Sequence, residues 1–178
     1  QQRLENYLCC LDKVPVKAMI KLGWLPQIKD KTEQLKAVLS FFGIAAPEQW
    51  SIVWAKYQVA YRQTECFEKS FEAVSAWLRQ GEIMARQIFC EPYDRKNFLT
   101  TLDDIRLLTK KGPKEFVPVL IEKCALSGVA VVFVPELPKV GIWGATRWLG
   151  DKALIQLSLR YKSNDHLWFI FFHEAAHI

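Results

Sequence analysis

The chain has 178 residues, which is enough for one sizeable domain or two small ones. Hydrophobic residues make up 51% of it, with 11 Phe, 7 Trp and 5 Tyr, so the chain can fill an apolar core and does not have the composition of a disordered protein. The net charge is +5, and the lysines and arginines are scattered along the chain among acidic residues, which excludes a basic arm for nucleic acid. It indicates a solvated surface, with a weakly basic face as the alternative.

The first two thirds of the sequence predict consecutive helices, because apolar residues recur there at helical spacing. Asp30 is the expected N-cap of one helix and Gly43 its stop. The predicted helices span residues 3–11, 16–22, 31–42, 47–63, 66–89, 95–110 and 113–127. Gly81 lies inside the fifth, where it permits a kink. We interpret the Trp and Phe stripes of these helices as core rather than as a ligand site.

Three strands are predicted next. "VAVVFVPEL" after Gly128 is a continuous apolar run, typical of a buried strand, and residues 141–149 and 152–160 follow. Gly150 and Asp151 form a turn so short that its two flanking strands should pair antiparallel. We therefore expect a three-stranded antiparallel sheet over residues 129–160.

A last helix is expected after a polar turn in which Ser163, Asn164 or Asp165 can act as the cap. Its apolar residues at helical spacing should pack on one face of the sheet. The residues expected to be buried there are Leu167, Ile170 and Phe171.

This helix ends in "FFHEAAHI" at 171–178, which contains H-E-x-x-H, the pattern of zinc peptidase helices. Four residues of α-helix turn through about 400° and rise about 6 Å, so His173 and His177 lie on one face and can bind one Zn²⁺ at about 2.1 Å. Glu174 is offset by about 100° and is the predicted general base, which takes a proton from water whose pKa zinc lowers to about 7. The alternative is a buried helix whose histidines hydrogen-bond to core polar groups.

A catalytic zinc site normally has three protein ligands. The other histidine, His166, lies about 10.5 Å along the helix axis from His173, and Asp165 is a further ~100° round the helix. We therefore expect the third ligand downstream or not at all. The chain begins at Gln1 and ends one residue after His177, so a fragment of a longer protein is expected, with weak or no zinc binding and no activity.

The five cysteines are odd in number and form no C-x-x-C pair, which argues against a disulfide framework and a cysteine zinc site. No signal peptide and no apolar run of membrane-spanning length is found. We expect a cytoplasmic protein without membrane contact. The cysteines are Cys9, Cys10, Cys66, Cys90 and Cys124.

The stretches "GVAVVFVPELP", "GATRW", "KALIQLSLRY" and "FFHEAAHI" together resemble the ImmA/IrrE family of metallo-endopeptidases over residues 128–178. "PVKAMIKLGWL" and "LKAVLSFFGI" resemble the middle of long HigA-like regulators, which join an N-terminal helix-turn-helix of the XRE type to an ImmA/IrrE-like domain. The resemblance implies zinc ligands at His173 and His177, a catalytic base at Glu174 and an acidic third ligand on a later helix. The implied partners are a repressor or regulatory protein as substrate or, for antitoxins, a toxin and operator DNA.

The expected fold class is α+β. A helical domain over residues 1–112 precedes the start of a zincin-like domain over 113–178, truncated after the motif. Two functions remain open. The first is a zinc-dependent endopeptidase domain of a cytosolic regulator, which cleaves a specific repressor or regulatory protein in an extended segment added to the edge strand 141–149. The second is a HigA-like antitoxin or XRE-type transcription regulator that binds a partner without proteolysis and contacts DNA only through a helix-turn-helix not found in this sequence.

Overall fold

The computed structural model describes residues 7, 8, 11–50, 70–159 and 163–178. The chain divides into two compact units. Unit 1 comprises Gln1–Arg79 and Leu137–Gly141, and unit 2 comprises Gln80–Glu136 and Ile142–Ile178. The domain border predicted near residue 112 falls within unit 2 and stays a prediction.

Helices and one sheet make up the described part, so the expected mixture of α and β structure is confirmed. Within these ranges no helix combines the length and the apolar content that a membrane span requires. The elements are α1 (Val16–Lys21), α2 (Lys31–Phe42), α3 (Phe71–Arg86), α4 (Arg95–Arg106), a 3-10 helix (Leu107–Lys110), α5 (Pro113–Ala125), β1 (Val129–Val134), β2 (Gly144–Leu149), β3 (Lys152–Ser158) and α6 (Asn164–Ala175).

In unit 1, helix α2 begins and ends as its sequence predicts. The side chain of Asp30 accepts a hydrogen bond from the backbone N–H of Glu33 at 2.9 Å, which caps the helix. Gly43 ends it in the left-handed conformation, with φ +67°, where a glycine avoids the strain that a side chain would cause. Of the helix predicted over 47–63, residues 48–50 are helical, and the rest lies outside the described residues. The helix predicted over 3–11 also lies mostly outside them.

Helix α3 spans Phe71–Arg86, and residues 66–69 of the helix predicted over 66–89 lie outside the described residues. Ser70 precedes the helix in non-helical conformation. Its hydroxyl accepts a hydrogen bond from the backbone N–H of Ala73 at 3.3 Å, and its own N–H donates to the carbonyl of Lys139 at 3.0 Å. Serine in this position stops a helix from extending backwards, because its side chain replaces a backbone partner.

The sheet belongs to unit 2 and is mixed, which corrects the expected antiparallel arrangement. Strand β3 lies in the centre, antiparallel to β2 and parallel to β1. The hairpin between β2 and β3 is confirmed, and Gly150 occupies its turn with φ +64°. Strand β1 pairs with β3, which is distant in the sequence, so this pairing depends on tertiary packing and not on a local turn. Its continuous apolar sequence fits a strand buried on both faces and paired in parallel.

One face of the sheet packs on helices α4, α5 and α6, and we call it the α6 face. The shared core contains side chains of alternate strand residues and apolar residues of the three helices. It includes Val129, Val131, Ala153, Ile155, Leu157, Phe98, Ile105, Phe116, Leu120, Ile170 and Phe171. Ile170 and Phe171 are buried as predicted, and Leu167 is half-buried against the same core. The packing of the last helix on the sheet is therefore confirmed.

The opposite face of the sheet carries a buried polar network. Arg147 donates to the carboxylate of Glu82 at 2.9 Å and to the side-chain carbonyl of Gln156 at 3.1 Å. Gly81 lies against this network, since a Cβ there would come within 1.9 Å of Oε1 of Gln156. The glycine in α3 therefore allows a close approach between the helix and the central strand.

Candidate metal centre

The last turn of α6 and the turn that follows it at Ala176 and His177 bring His173 and His177 together on the exposed side. Their Nε2 atoms are 3.4 Å apart, and the ring planes are nearly perpendicular, at 85°. Two nitrogens that bind Zn²⁺ at about 2.0–2.1 Å with a tetrahedral angle are about 3.3–3.4 Å apart. The two imidazoles therefore have the separation of a pair that shares one metal ion. The partial negative charge at the C-terminus of the helix also favours a cation there.

Glu174 lies about 100° round the helix from His173 and is buried, with 8% of its surface exposed. The hydroxyl of Thr146 on β2 lies 2.8 Å from Oε2 of Glu174 and 2.8 Å from its backbone carbonyl oxygen. A hydroxyl has one hydrogen, so Thr146 donates to one of these oxygens at a time. This contact fixes both the carboxylate and the end of α6 on strand β2.

The close approach of Glu174 requires the glycine at position 144. A Cβ on Gly144 would lie 2.7 Å from Cγ and Oε1 of Glu174 and 2.7 Å from Cγ2 of Ile170. Carbon and oxygen atoms do not approach a Cβ that closely, so any larger residue would push α6 away from β2. The carboxylate thus lies over the strand between Gly144 and Thr146.

The described part of the chain places no third metal ligand beside the histidines. Among the described residues there is no group of three or more His, Cys, Asp or Glu side chains arranged to hold a metal. The ring of His166 lies against Trp143, with 5.0 Å between the ring centroids. Burial raises the pKa of Cys124 to about 12, so this thiol does not supply a thiolate ligand near neutral pH.

Sequence reasoning found the motif residues but missed the two strand residues that position Glu174. Thr146 lies 28 residues from Glu174 in the chain, and nothing in a single sequence connects them. Gly144 did carry a signal. A glycine inside a strand pattern often marks a site where another chain segment approaches closely, and here that segment is α6.

Among the strands of the described residues, β2 forms one edge of the sheet, next to Glu174. Ser158 donates its N–H to the carbonyl of Trp143 at 2.8 Å, so these two residues form a hydrogen-bonded pair. Such pairs alternate along an antiparallel ladder. By this alternation, three residues of β2 direct their backbone N–H and C=O groups away from β3, towards the edge. They are Gly144, Thr146 and Trp148.

We compared the chain with known protein families, with curated proteins and with solved structures. No family, no curated protein and no solved structure matches it.

Proposed function

We propose that α6 and β2 form the zinc-binding half of an endopeptidase active site in a cytosolic regulatory protein. The observation that carries this proposal is the 3.4 Å separation of the His173 and His177 nitrogens, beside a buried glutamate on the same helix. An ordinary buried helix, the alternative interpretation of the motif, would not need two exposed imidazoles at the spacing of zinc ligands. The third protein ligand comes from outside the described residues.

Each residue of the motif has a separate role in this proposal. His173 and His177 would hold the metal, and a bound zinc ion would supply Lewis-acid polarisation of the scissile carbonyl and acidify the attacking water. Glu174 accepts the proton of that water and passes it to the leaving amine. Thr146 orients Glu174 by its hydroxyl, and the apolar core beneath α6 keeps the helix rigid.

The proposed substrate is an extended segment of a protein, added as a further strand to the edge of β2. Gly144 and Thr146 are among the residues that direct backbone groups towards this edge. A peptide paired there has its own backbone next to the carboxylate of Glu174. The resemblance to ImmA/IrrE peptidases suggests that the substrate is a specific repressor or regulatory protein.

The test uses the protein expressed from its complete gene, with the soluble proteins of its host as substrates. We expect Glu174→Gln to keep the zinc of the unmodified protein but to lose cleavage, because the amide cannot accept a proton. His173→Ala and His177→Ala are expected to lose the metal itself. Zinc is measured by elemental analysis, and cleavage by the new N-termini that mass spectrometry detects.

Two results would contradict these roles. Equal metal loss in all three variants would make Glu174 a ligand and not the base. Stoichiometric zinc binding without any new N-terminus in the host proteins would favour the second function, a regulator that binds its partner without cutting it.

A further inference from the structure

Trp148 is a large apolar residue on the exposed edge strand, close to the candidate centre. Side chains alternate along a strand, so Trp148 lies on the same face of the sheet as Gly144 and Thr146, which is the α6 face. It belongs to unit 2, and 47% of its surface is exposed. Thr146 is engaged by Glu174, and Gly144 has no side chain. Of the three residues of β2 that direct their backbone groups towards the edge, Trp148 is therefore the one whose side chain is accessible to a ligand.

The indole of Trp148 is held in place by Tyr93. The two rings meet edge to face with 5.0 Å between their centroids, and Tyr93 also packs against Phe98 of the core at 6.3 Å. Such aromatic contacts restrict the rotamers of the tryptophan before any ligand arrives. A restricted side chain loses less conformational entropy on binding than a mobile one, which makes Trp148 a suitable anchor.

The spacing along β2 relates this anchor to the carboxylate. Two residues of a strand span about 6.6–6.8 Å, so Trp148 lies that far along the edge from Thr146. On an added strand, the residue opposite Trp148 is two positions from the residue opposite Thr146, and its side chain points to the same face. Directly opposite residues have Cβ atoms about 4.5–5.5 Å apart, which is contact distance for large side chains.

We infer that Trp148 is a specificity-determining residue, which selects extended peptides with a large apolar side chain two positions from the residue that faces Thr146. This inference rests on the proposed function, because it takes the edge of β2 as the place where the substrate binds. Aromatic and long aliphatic side chains are the expected class, since they cover the exposed indole and gain both apolar burial and ring contact.

The inference is tested by peptide binding to the metal-free 178-residue chain. The probes are fluorescein-labelled decapeptides of alternating Thr and Ser, either unsubstituted or with one central residue replaced by Phe, Asp or Lys. The uniform host sequence lets the central residue align with Trp148 whatever the register. We expect Phe to increase affinity over the unsubstituted peptide by about three- to tenfold, and Asp to give no increase.

The matched variants are Trp148→Ala, Trp148→Phe and Phe89→Ala. Trp148→Ala should abolish the gain from Phe, and Trp148→Phe should keep most of it. Phe89 is an exposed aromatic residue outside the sheet, with 82% of its surface accessible, so Phe89→Ala should leave the gain unchanged. A Phe peptide with N-methylated backbone amides should bind no better than the unsubstituted host, because strand addition needs those hydrogen bonds.

Three results would overturn the inference. They are an equal gain from Phe in Trp148→Ala and the unmodified chain, a larger gain from Lys than from Phe, and a gain that survives N-methylation. Because these measurements use no metal, they are independent of zinc binding. If the zinc centre is wrong, the metal analysis of the histidine variants reveals it. If the role of Trp148 is wrong, the peptide-binding measurements reveal it.

Discussion

Gly144 is the residue that most directly controls where Glu174 lies. Replacement by Ala introduces a Cβ 2.7 Å from the side chains of Glu174 and Ile170. Because Ile170 belongs to the packed core under α6, neither neighbour can move without disturbing the helix. We expect Gly144→Ala to lower the free energy of unfolding by about 1–3 kcal/mol, as overpacking does, measured by urea denaturation.

The control for this variant is Gly112→Ala. Gly112 precedes α5 and adopts φ −75°, which any residue tolerates, and a Cβ added to it would meet no atom within 4 Å. Its replacement should change the free energy of unfolding by no more than about 0.5 kcal/mol. Equal effects of the two substitutions would show that the contact between Gly144 and Glu174 does not constrain α6.

At the scale of single residues, the sequence predicts candidate metal ligands, but it does not predict the strand residues that contact Glu174. His173 and His177 are recognisable because helix geometry alone brings residues four apart to one face. The hydrogen bond from Thr146 to Glu174 depends on the packing of a helix on a strand, which no local pattern encodes. The motif therefore identifies the candidate catalytic residues, and the structure identifies Thr146 as the residue that holds Glu174 in place.

At the scale of elements, local signals predicted local structure. The cap at Asp30, the stop at Gly43 and the turn at Gly150 each act within a few residues, and each predicted boundary is confirmed. The order of the strands was not predictable in this way. Strand β3 lies between β1 and β2, and this arrangement is fixed by burial of both faces of β3. Gly81 shows the same limit, because its packing on Gln156 involves a distant strand.

A buried ion pair between Glu82 of α3 and Arg147 of β2 connects these two elements. Glu82 and Arg147 are buried, at 6% and 7% exposure, so neutralising Glu82 leaves the charge of Arg147 in a poorly solvated place without the opposite charge of that carboxylate. We expect Glu82→Gln to lower the free energy of unfolding by about 3–5 kcal/mol, the range for breaking a buried pair. Urea denaturation measures the loss.

The double variant Glu82→Leu, Arg147→Met is the comparison that separates charge from packing. It removes both charges and keeps apolar volume, so it should cost less than Glu82→Gln alone. If the double variant were less stable than Glu82→Gln, the attraction between Glu82 and Arg147 would stabilise the fold by more than the cost of burying their two charges. Strand β2 carries both Arg147 and Thr146, so this ion pair and the candidate site depend on one strand.

At the scale of the whole molecule, every described residue of the candidate site belongs to unit 2. The sheet separates two polar groupings, with the Arg147 network on one face and the contact of Thr146 with Glu174 on the other. Alternate residues of one six-residue strand therefore serve different purposes. Strand β2 thus carries Arg147 of the polar network and Thr146 of the candidate site. In the proposed function its edge also binds the substrate.

The amount of zinc that the 178-residue chain retains tests whether His173 and His177 hold the metal without a further ligand. The two candidate ligands among the described residues, His173 and His177, would fill half of a tetrahedral site, whereas the binding free energies of about 10–16 kcal/mol known for structural zinc are reached with a full set of ligands. We therefore expect the chain to lose its zinc on dialysis against metal-free buffer and to cleave nothing. Elemental analysis should give the same background value for this chain and for its His173→Ala, His177→Ala double variant.

Retention of about one zinc per chain, lost in the double variant, would contradict this expectation. The described residues contain two candidate ligands, His173 and His177, so such a result requires either a further ligand outside the described ranges or a second copy of the chain. Size-exclusion chromatography with and without zinc distinguishes these two cases, because a shared metal makes the molecular mass depend on zinc. An unchanged monomer mass with bound zinc would place the third ligand within this chain.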